Sequence, residues 1–143
     1  FQGVYCLKPD GSVLLVTDEL PYPNGIALSP DGKYLFISNS DDNNKIWMKY
    51  ELDKNGLIKS NQVFYHAAAF DGKSSGNPDG MKMSKNGYLF ASGPEGIWIF
   101  NPSGKVIAKI LTGELTSNCA FTPDEKELYM TCDHLVMRCR LKG

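Results

Sequence analysis

The sequence predicts an all-β protein made of β-propeller blades, about three four-stranded sheets in a row. Three observations lead there. One strand–turn–strand motif recurs three times along the 143 residues. Each copy is followed by further short apolar runs separated by Asn-, Asp- and Gly-bearing turns. No segment reads convincingly as a helix.

The repeat is the strongest of the three. Residues 23–39 read PNGIALSPDGKYLFISN, residues 78–93 read PDGMKMSKNGYLFASG, and residues 117–132 read SNCAFTPDEKELYMTC. In each, a polar residue (Asn24, Asp79, Asn118) leads a short apolar strand. A turn follows, and then a second strand rich in aromatic or β-branched residues. Third strands come next, at Ile46–Tyr50, Ile97–Phe100 and Leu135–Arg138. The first two copies continue through Asp53-Lys54-Asn55-Gly56 and Asn101-Pro102-Ser103-Gly104 into fourth strands. Asn, Asp and Gly supply the backbone angles that tight hairpins need.

The offsets are 55 residues from Asn24 to Asp79 and 39 from Asp79 to Asn118. A period of ~40–50 residues with four strands is that of a propeller blade. A β-sandwich would not repeat the same turn chemistry in register. The expected organisation is a partial blade over 1–20, a blade over 21–66, an inserted loop over 67–76, a blade over 77–114 and an incomplete last blade over 115–143. Three blades are too few to close a ring, and unpaired sheet edges invite association. The chain opens with Phe1 rather than Met, and no signal peptide is visible. A piece of a longer protein is therefore expected, or self-association if the chain exists alone.

Composition excludes several classes. Net charge is −1 with no Lys/Arg block, which argues against nucleic acid. No apolar run approaches the ~20 residues that cross a bilayer as a helix. The 42% hydrophobic and 22% charged content fits a soluble globular protein, cytoplasmic or exported. Cys6, Cys119, Cys132 and Cys139 form no CxxC pair, and three of them sit inside apolar runs, as small buried hydrophobes do.

Asn24, Asp79 and Asn118 are read as one repeat position, just before the innermost strand, facing the central channel at one rim. A carboxylate with amide oxygens is a hard-cation site, suited to calcium, magnesium or manganese. The alternative is that Asn and Asp only cap tight turns. Gly25 and Gly80, lacking side chains, would let backbone and ligand approach closely.

These residues also resemble a known family. Pro23-Asn24-Gly25-Ile26-Ala27-Leu28-Ser29-Pro30-Asp31-Gly32, then Pro78-Asp79-Gly80-Met81, then Gly96–Lys105 and Thr116–Phe121, in that order, resemble the gluconolactonase and regucalcin (senescence marker protein, SMP-30) family. The ending Arg140-Leu141-Lys142-Gly143 resembles the family C-terminus. The resemblance implies a six-bladed propeller, of which this chain would be the C-terminal half. It implies a metal-dependent hydrolase of sugar lactones, with a divalent cation held by the Asn of PNG (Asn24), the Asp of PDG (Asp79) and a Glu upstream of Phe1. Calcium ranks ahead of magnesium, manganese or zinc. Asp79 would also serve as catalytic base, and Asn118, Gly25 and Gly80 would line the rim near substrate. The substrate-contacting Arg and Asn of the family would also lie upstream. Competing readings are a calcium-binding or interaction propeller without turnover, and a strictosidine-synthase-like propeller, which shares the NG-x-x-x-S-x-D pattern.

Other signals carry less. Gly72-Lys73-Ser74-Ser75-Gly76 matches G-x-S-x-G, but a nucleophile elbow needs a strand before it and a helix after it. Asp41-Asp42-Asn43-Asn44 lacks the Gly and closing Glu of a calcium loop and reads as a solvated hairpin. His66, placed in the inserted loop, and His134 have no Ser or Cys partner at identifiable spacing. Trp47 and Trp98 recur at one repeat position and read as packing residues.

Overall fold

The computed structural model describes residues 2–142. Thirteen strands form four antiparallel sheets among these residues. A hairpin of β1 (Val4–Leu7) and β2 (Val13–Thr17) comes first. The second sheet is a meander of β3 (Pro23–Leu28), β4 (Tyr34–Asp41), β5 (Asn44–Leu52) and β6 (Ile58–His66). The third contains β7 (Met81–Met83), β8 (Leu89–Gly93), β9 (Gly96–Phe100) and β10 (Val106–Leu111). The fourth contains β11 (Thr116–Phe121), β12 (Glu127–Cys132) and β13 (Leu135–Arg140). The protein is an all-β propeller array.

The repeated turns form for a local reason. Asp31 Oδ1 accepts hydrogen bonds from the Ser29 hydroxyl (2.6 Å) and the Lys33 amide (3.1 Å). Asp124 does the same with Thr122 (2.7 Å) and Lys126 (3.1 Å). Asn101 Oδ1 takes the amides of Ser103 and Lys105 at 3.1 and 2.9 Å. Such side chains offer the backbone a turn in place of a continuing ladder. Gly32 and Gly87 take the left-handed step at φ of +70° and +81°, where a Cβ would be strained.

Packing follows the two-residue period of each strand. Ile46, Met48 and Tyr50 point to one face of the second sheet and, with Leu35 and Ile37, cover the first hairpin through Val4 and Val16. Phe36 and Trp47 point the other way and meet Leu89, Ala91, Trp98 and Phe100 of the third sheet. The opposite face of that sheet, Phe90, Ile97 and Ile99, meets Cys119, Leu128, Met130 and Cys132 of the fourth. Each inter-sheet layer is thus an apolar cluster, and central strands are buried on both sides. Trp47 and Trp98 meet blade against blade at a tilt of 46°, with centroids 5.5 Å apart. At the two ends of the row the apolar faces are open. Tyr5, Leu7, Val13 and Leu15 share the outer face of the first hairpin, and Tyr129 and Val136 are exposed on the last sheet.

The inserted loop contains one short 3-10 turn, Ala68–Phe70, and no α-helix is present among the described residues. The alanine run favours the turn, and Phe70 packs edge-on against Trp98 at 6.0 Å. Two expectations about the surroundings of this loop are corrected. His66 is the last residue of β6, not part of the loop, and bonds Asp71 at 2.7 Å. The 41–44 hairpin is more than solvated. Asp42 Oδ1 accepts from Asn77 Nδ2 at 2.9 Å, and the buried Lys45 ammonium bonds both Asp42 and Asn77, so the hairpin holds down the end of the loop. Cys119 and Cys132 are buried as expected, Cys139 is half-buried and Cys6 is exposed.

Among the described residues, no helix is long and apolar enough to cross a membrane.

Candidate functional site

In an antiparallel meander the chain enters the first strand and leaves the fourth at the same end of the sheet. The blade-to-blade connections and the turns at 42–43, 94–95 and 133–134 therefore share one face of the array. The first strands β3, β7 and β11 are neighbours and form its inner edge. Asn24, Asp79 and Asn118 lie where that edge meets the connection-bearing face.

Buried hydroxyls sew these segments together. The Gly25 amide donates to Ser38 Oγ at 2.7 Å, and Ser38 Oγ donates to the Asp79 carbonyl at 2.8 Å. Ser40 Oγ donates to the Pro78 carbonyl at 2.5 Å and accepts from Asn24 Nδ2 at 3.1 Å. One blade further on, Ser92 Oγ reaches the carbonyls of Gly80 (2.9 Å) and Ser117 (3.1 Å), and the Gly80 amide donates to Ser117 O at 2.8 Å. Ser38 and Ser92 are fully buried. A sequence reading aimed at carboxylates and amides passes over them, although Phe36-Ile37-Ser38 and Phe90-Ala91-Ser92 recur in register.

The register also corrects the repeat. Met81 pairs Ala91, which places Gly80 opposite Ser92, while Asn118 pairs Thr131. Thr131 Oγ1 donates to the Asn118 carbonyl at 3.4 Å, as Ser92 does to Gly80 and Ser38 to Gly25. Ser117, not Asn118, therefore stands in line with Asn24 and Asp79. Asn118 stands in line with Gly25 and Gly80. The middle turn, Ser84 to Tyr88, is one residue shorter than its counterparts, and alignment anchored on the turns removes the one-residue slip.

The glycines have a direct steric role. A Cβ at Gly25 would lie 2.0 Å from the Asp79 carbonyl oxygen, and one at Gly80 would lie 2.3 Å from Asn118 Cγ and Oδ1. Each glycine lets the next blade's inner strand close up.

Donor chemistry differs among the three polar residues. Asn24 is exposed, and its amide nitrogen is taken by Ser40, leaving Oδ1 as the outward acceptor. Asn118 Oδ1 already accepts the Cys119 amide at 2.9 Å. Asp79 is half-buried, and burial holds its carboxyl above the usual carboxylate range, partly offset by the Gly80 amide. Among the described residues no Lys, Arg or His is paired with it. A half-desolvated carboxylate with no counter-charge and an uncommitted amide oxygen on the neighbouring inner strand are donors of the kind a hard divalent cation takes.

The Gly72–Gly76 segment follows the 3-10 turn and runs through Pro78 into β7, so the strand–helix setting of a nucleophile elbow is absent here. It borders a cavity of about 440 Å³ lined by Ser74, Ser75, Glu95, Leu111 and Glu114, which does not include Asn24 or Asp79.

The fold is that of consecutive β-propeller blades, with Asn24 and Asp79 on the inner edge. Residues 2–134 match the family model described as SMP-30/Gluconolactonase/LRE-like region, and the chain belongs to that family. It is 42% identical over 147 residues to the gluconolactonase of Zymomonas mobilis subsp. mobilis, covering 99% of this chain and 41% of that protein. The Xanthomonas campestris gluconolactonase structure superposes with a TM-score of 0.85 at 28% identity, over 98% of this chain and 44% of its own. Regucalcin of Agrobacterium tumefaciens, described as a calcium-binding protein, superposes with a TM-score of 0.73 at 26% identity, over 90% and 43%. The chain thus spans about two fifths of the length of these relatives.

Proposed function

We propose that the protein carrying this chain is a metal-dependent lactonase acting on a sugar lactone, with Asn24 and Asp79 among the ligands of a divalent cation, calcium first. The carrying observation is Asp79: a half-buried carboxylate held above its ordinary pKa, unpaired, and anchored through its own carbonyl to Ser38. The likeness to gluconolactonases supports the substrate class, and the likeness to a calcium-binding protein supports the ion.

A bound cation would polarise the lactone carbonyl and favour the developing oxyanion. The residues of this chain supply the rest. Ser38 and Ser40 fix the backbone of Pro78 and Asp79, Ser92 holds Gly80, and Gly25 and Gly80 keep the inner strands close. Asp79, kept as a carboxylate by the cation, would take a proton from the attacking water. Water oxygen bonds to the carbonyl carbon, the ring C–O bond breaks, and the proton passes to the leaving alkoxide, giving the open hydroxy acid. Asn118, with its oxygen engaged, serves as a rim contact rather than a ligand.

The second reading is a calcium-binding propeller without turnover, favoured by the regucalcin likeness. Lactone hydrolysis measured across a metal titration separates the two. Asp79→Asn keeps shape and removes the charge, so activity should fall by about 10²–10⁴-fold even at saturating metal. Asn24→Ala should be partly rescued by excess metal. Metal binding with no hydrolysis of any sugar lactone would leave only the second reading. Unchanged metal affinity and rate in Asp79→Asn would return Asp79 to a turn-capping role.

A further inference from the structure

A second cluster of donors lies outside the Asn24–Asp79 rim. Glu114 belongs to the connection between β10 and β11, and Asp133 and His134 form the two-residue turn between β12 and β13. One carboxylate oxygen from each acid and one imidazole nitrogen all lie within 4.8 Å of one another. The separation between Asp133 Oδ2 and His134 Nδ1 is 3.5 Å. Asp133 and His134 are neighbours in sequence, and Glu114 is brought to them by the pairing of β11 with β12, which sets Thr116 opposite Cys132.

The backbone holds them there. The Asp133 amide donates to the Leu115 carbonyl at 2.8 Å, which ties the turn directly to the connection. The Thr112 hydroxyl donates to the Glu114 carbonyl at 2.8 Å and shares a 2.8 Å contact with the Thr116 hydroxyl, bracing the connection from both sides. Asp133 takes φ of +48°, a left-handed step that a short polar side chain tolerates. Among the described residues, the Glu114 carboxylate has no hydrogen-bond donor or cationic partner.

We propose that Glu114, Asp133 and His134 form a second metal site, one that takes a borderline divalent cation of the zinc or manganese class. Two carboxylates offset a dication's charge, and an imidazole nitrogen shifts preference from calcium towards metals that accept nitrogen. Three protein donors leave at least one position for water. Occupancy joins the outer turn of the last sheet to the connection from the sheet before it. Because all three ligands sit on turns and connections, the site forms only in the folded array, and the metal stabilises the folded state by mass action.

The test is a Zn²⁺ titration of the chelator-treated, purified protein by calorimetry, run on wild type, His134→Ala, Glu114→Gln and Asp79→Asn. His134→Ala and Glu114→Gln should each weaken one Zn²⁺ equivalent by at least about 10–100-fold, the size of effect that even outer-shell changes produce at metal sites. Asp79→Asn should leave that equivalent in place, so failure here and failure of the lactonase reading are told apart. A second measurement guards against altered folding. On Zn²⁺ addition the imidazole ¹⁵N resonances of His134, assigned by their loss in His134→Ala, should shift. Unchanged Zn²⁺ stoichiometry and affinity in His134→Ala, or a His134 ring that does not respond to Zn²⁺, overturns the proposal.

Discussion

A Cβ placed on Gly25 would sit 2.0 Å from the main-chain oxygen of Asp79, so the two inner strands approach as closely as they do only because position 25 has no side chain. The contact joins sheets whose motif residues are 55 positions apart in sequence. It also makes Gly25 a determinant of where Asp79 stands. Gly25→Ala should destabilise the protein by about 1–3 kcal/mol, because the colliding atom is backbone and cannot rotate away. Gly80→Ala meets Asn118 Cγ and Oδ1, which can rotate, and Asn118 Cβ at 2.8 Å, which cannot, so it should also destabilise but by less. Denaturant unfolding of both variants checks the order. Equal losses would mean that the Asp79 backbone yields more readily than its hydrogen bond to Ser38 implies.

The Asp79 carboxyl makes stability depend on pH in a defined direction. Its folded-state pKa is raised by burial, so the folded protein holds that proton more tightly than the unfolded chain does. Below the unfolded value of ~3.9 the group is protonated in both states and costs nothing. As pH rises through the raised value, the fold must carry a desolvated charge, and stability falls. Metal-free Asp79→Asn should therefore melt higher than wild type at neutral pH and match it in acid. Added divalent metal should raise the melting temperature of wild type more than that of the variant. Thermal melts with and without metal at two pH values are sufficient.

Trp47 is fully buried and stands against Trp98, Phe100 and Tyr65 with centroids 5.5, 5.5 and 6.2 Å away. Trp47→Ala should destabilise by about 3–5 kcal/mol, as truncation of a buried aromatic leaves a cavity between two sheets. Chemical denaturation reads the loss directly. A loss under 1 kcal/mol would show that the sheets close over the gap.

Ser74 and Ser75 lie on the inserted loop without the strand–helix setting of a nucleophile. Ser74→Ala and Ser75→Ala should leave lactone hydrolysis nearly intact. A fall of ~1,000-fold or more in either variant would restore a serine-nucleophile mechanism.

The open faces at the two ends of the row predict the behaviour of the 143-residue chain alone. Leu7 and Val13 are 72% and 66% exposed and pair across β1 and β2, and Val136 is 74% exposed on β13. An apolar sheet face of this kind seeks a partner. Light scattering on the isolated chain should report association that grows with concentration, and a monodisperse monomer would contradict it.

Local chemistry determined the strands and turns from the sequence. Alternation placed Trp47 opposite Met48, the Ser29–Asp31 and Thr122–Asp124 pairs made the turns, and the recurring PNG and PDG segments marked the inner edge. Those interactions span a few residues and repeat. The tertiary structure brought out three further matters, the first of which the sequence also carries in the five-residue spacing from Ser117 to Thr122. It set Ser117 rather than Asn118 in line with Asp79, because register depends on the length of each turn and on hydrogen bonds to β12. It assigned Ser38, Ser40 and Ser92 to hold the rim, because their partners lie in the next blade. It brought Glu114 to Asp133 and His134, because the pairing of β11 with β12 sets Thr116 opposite Cys132 and so lays the connection beside the turn.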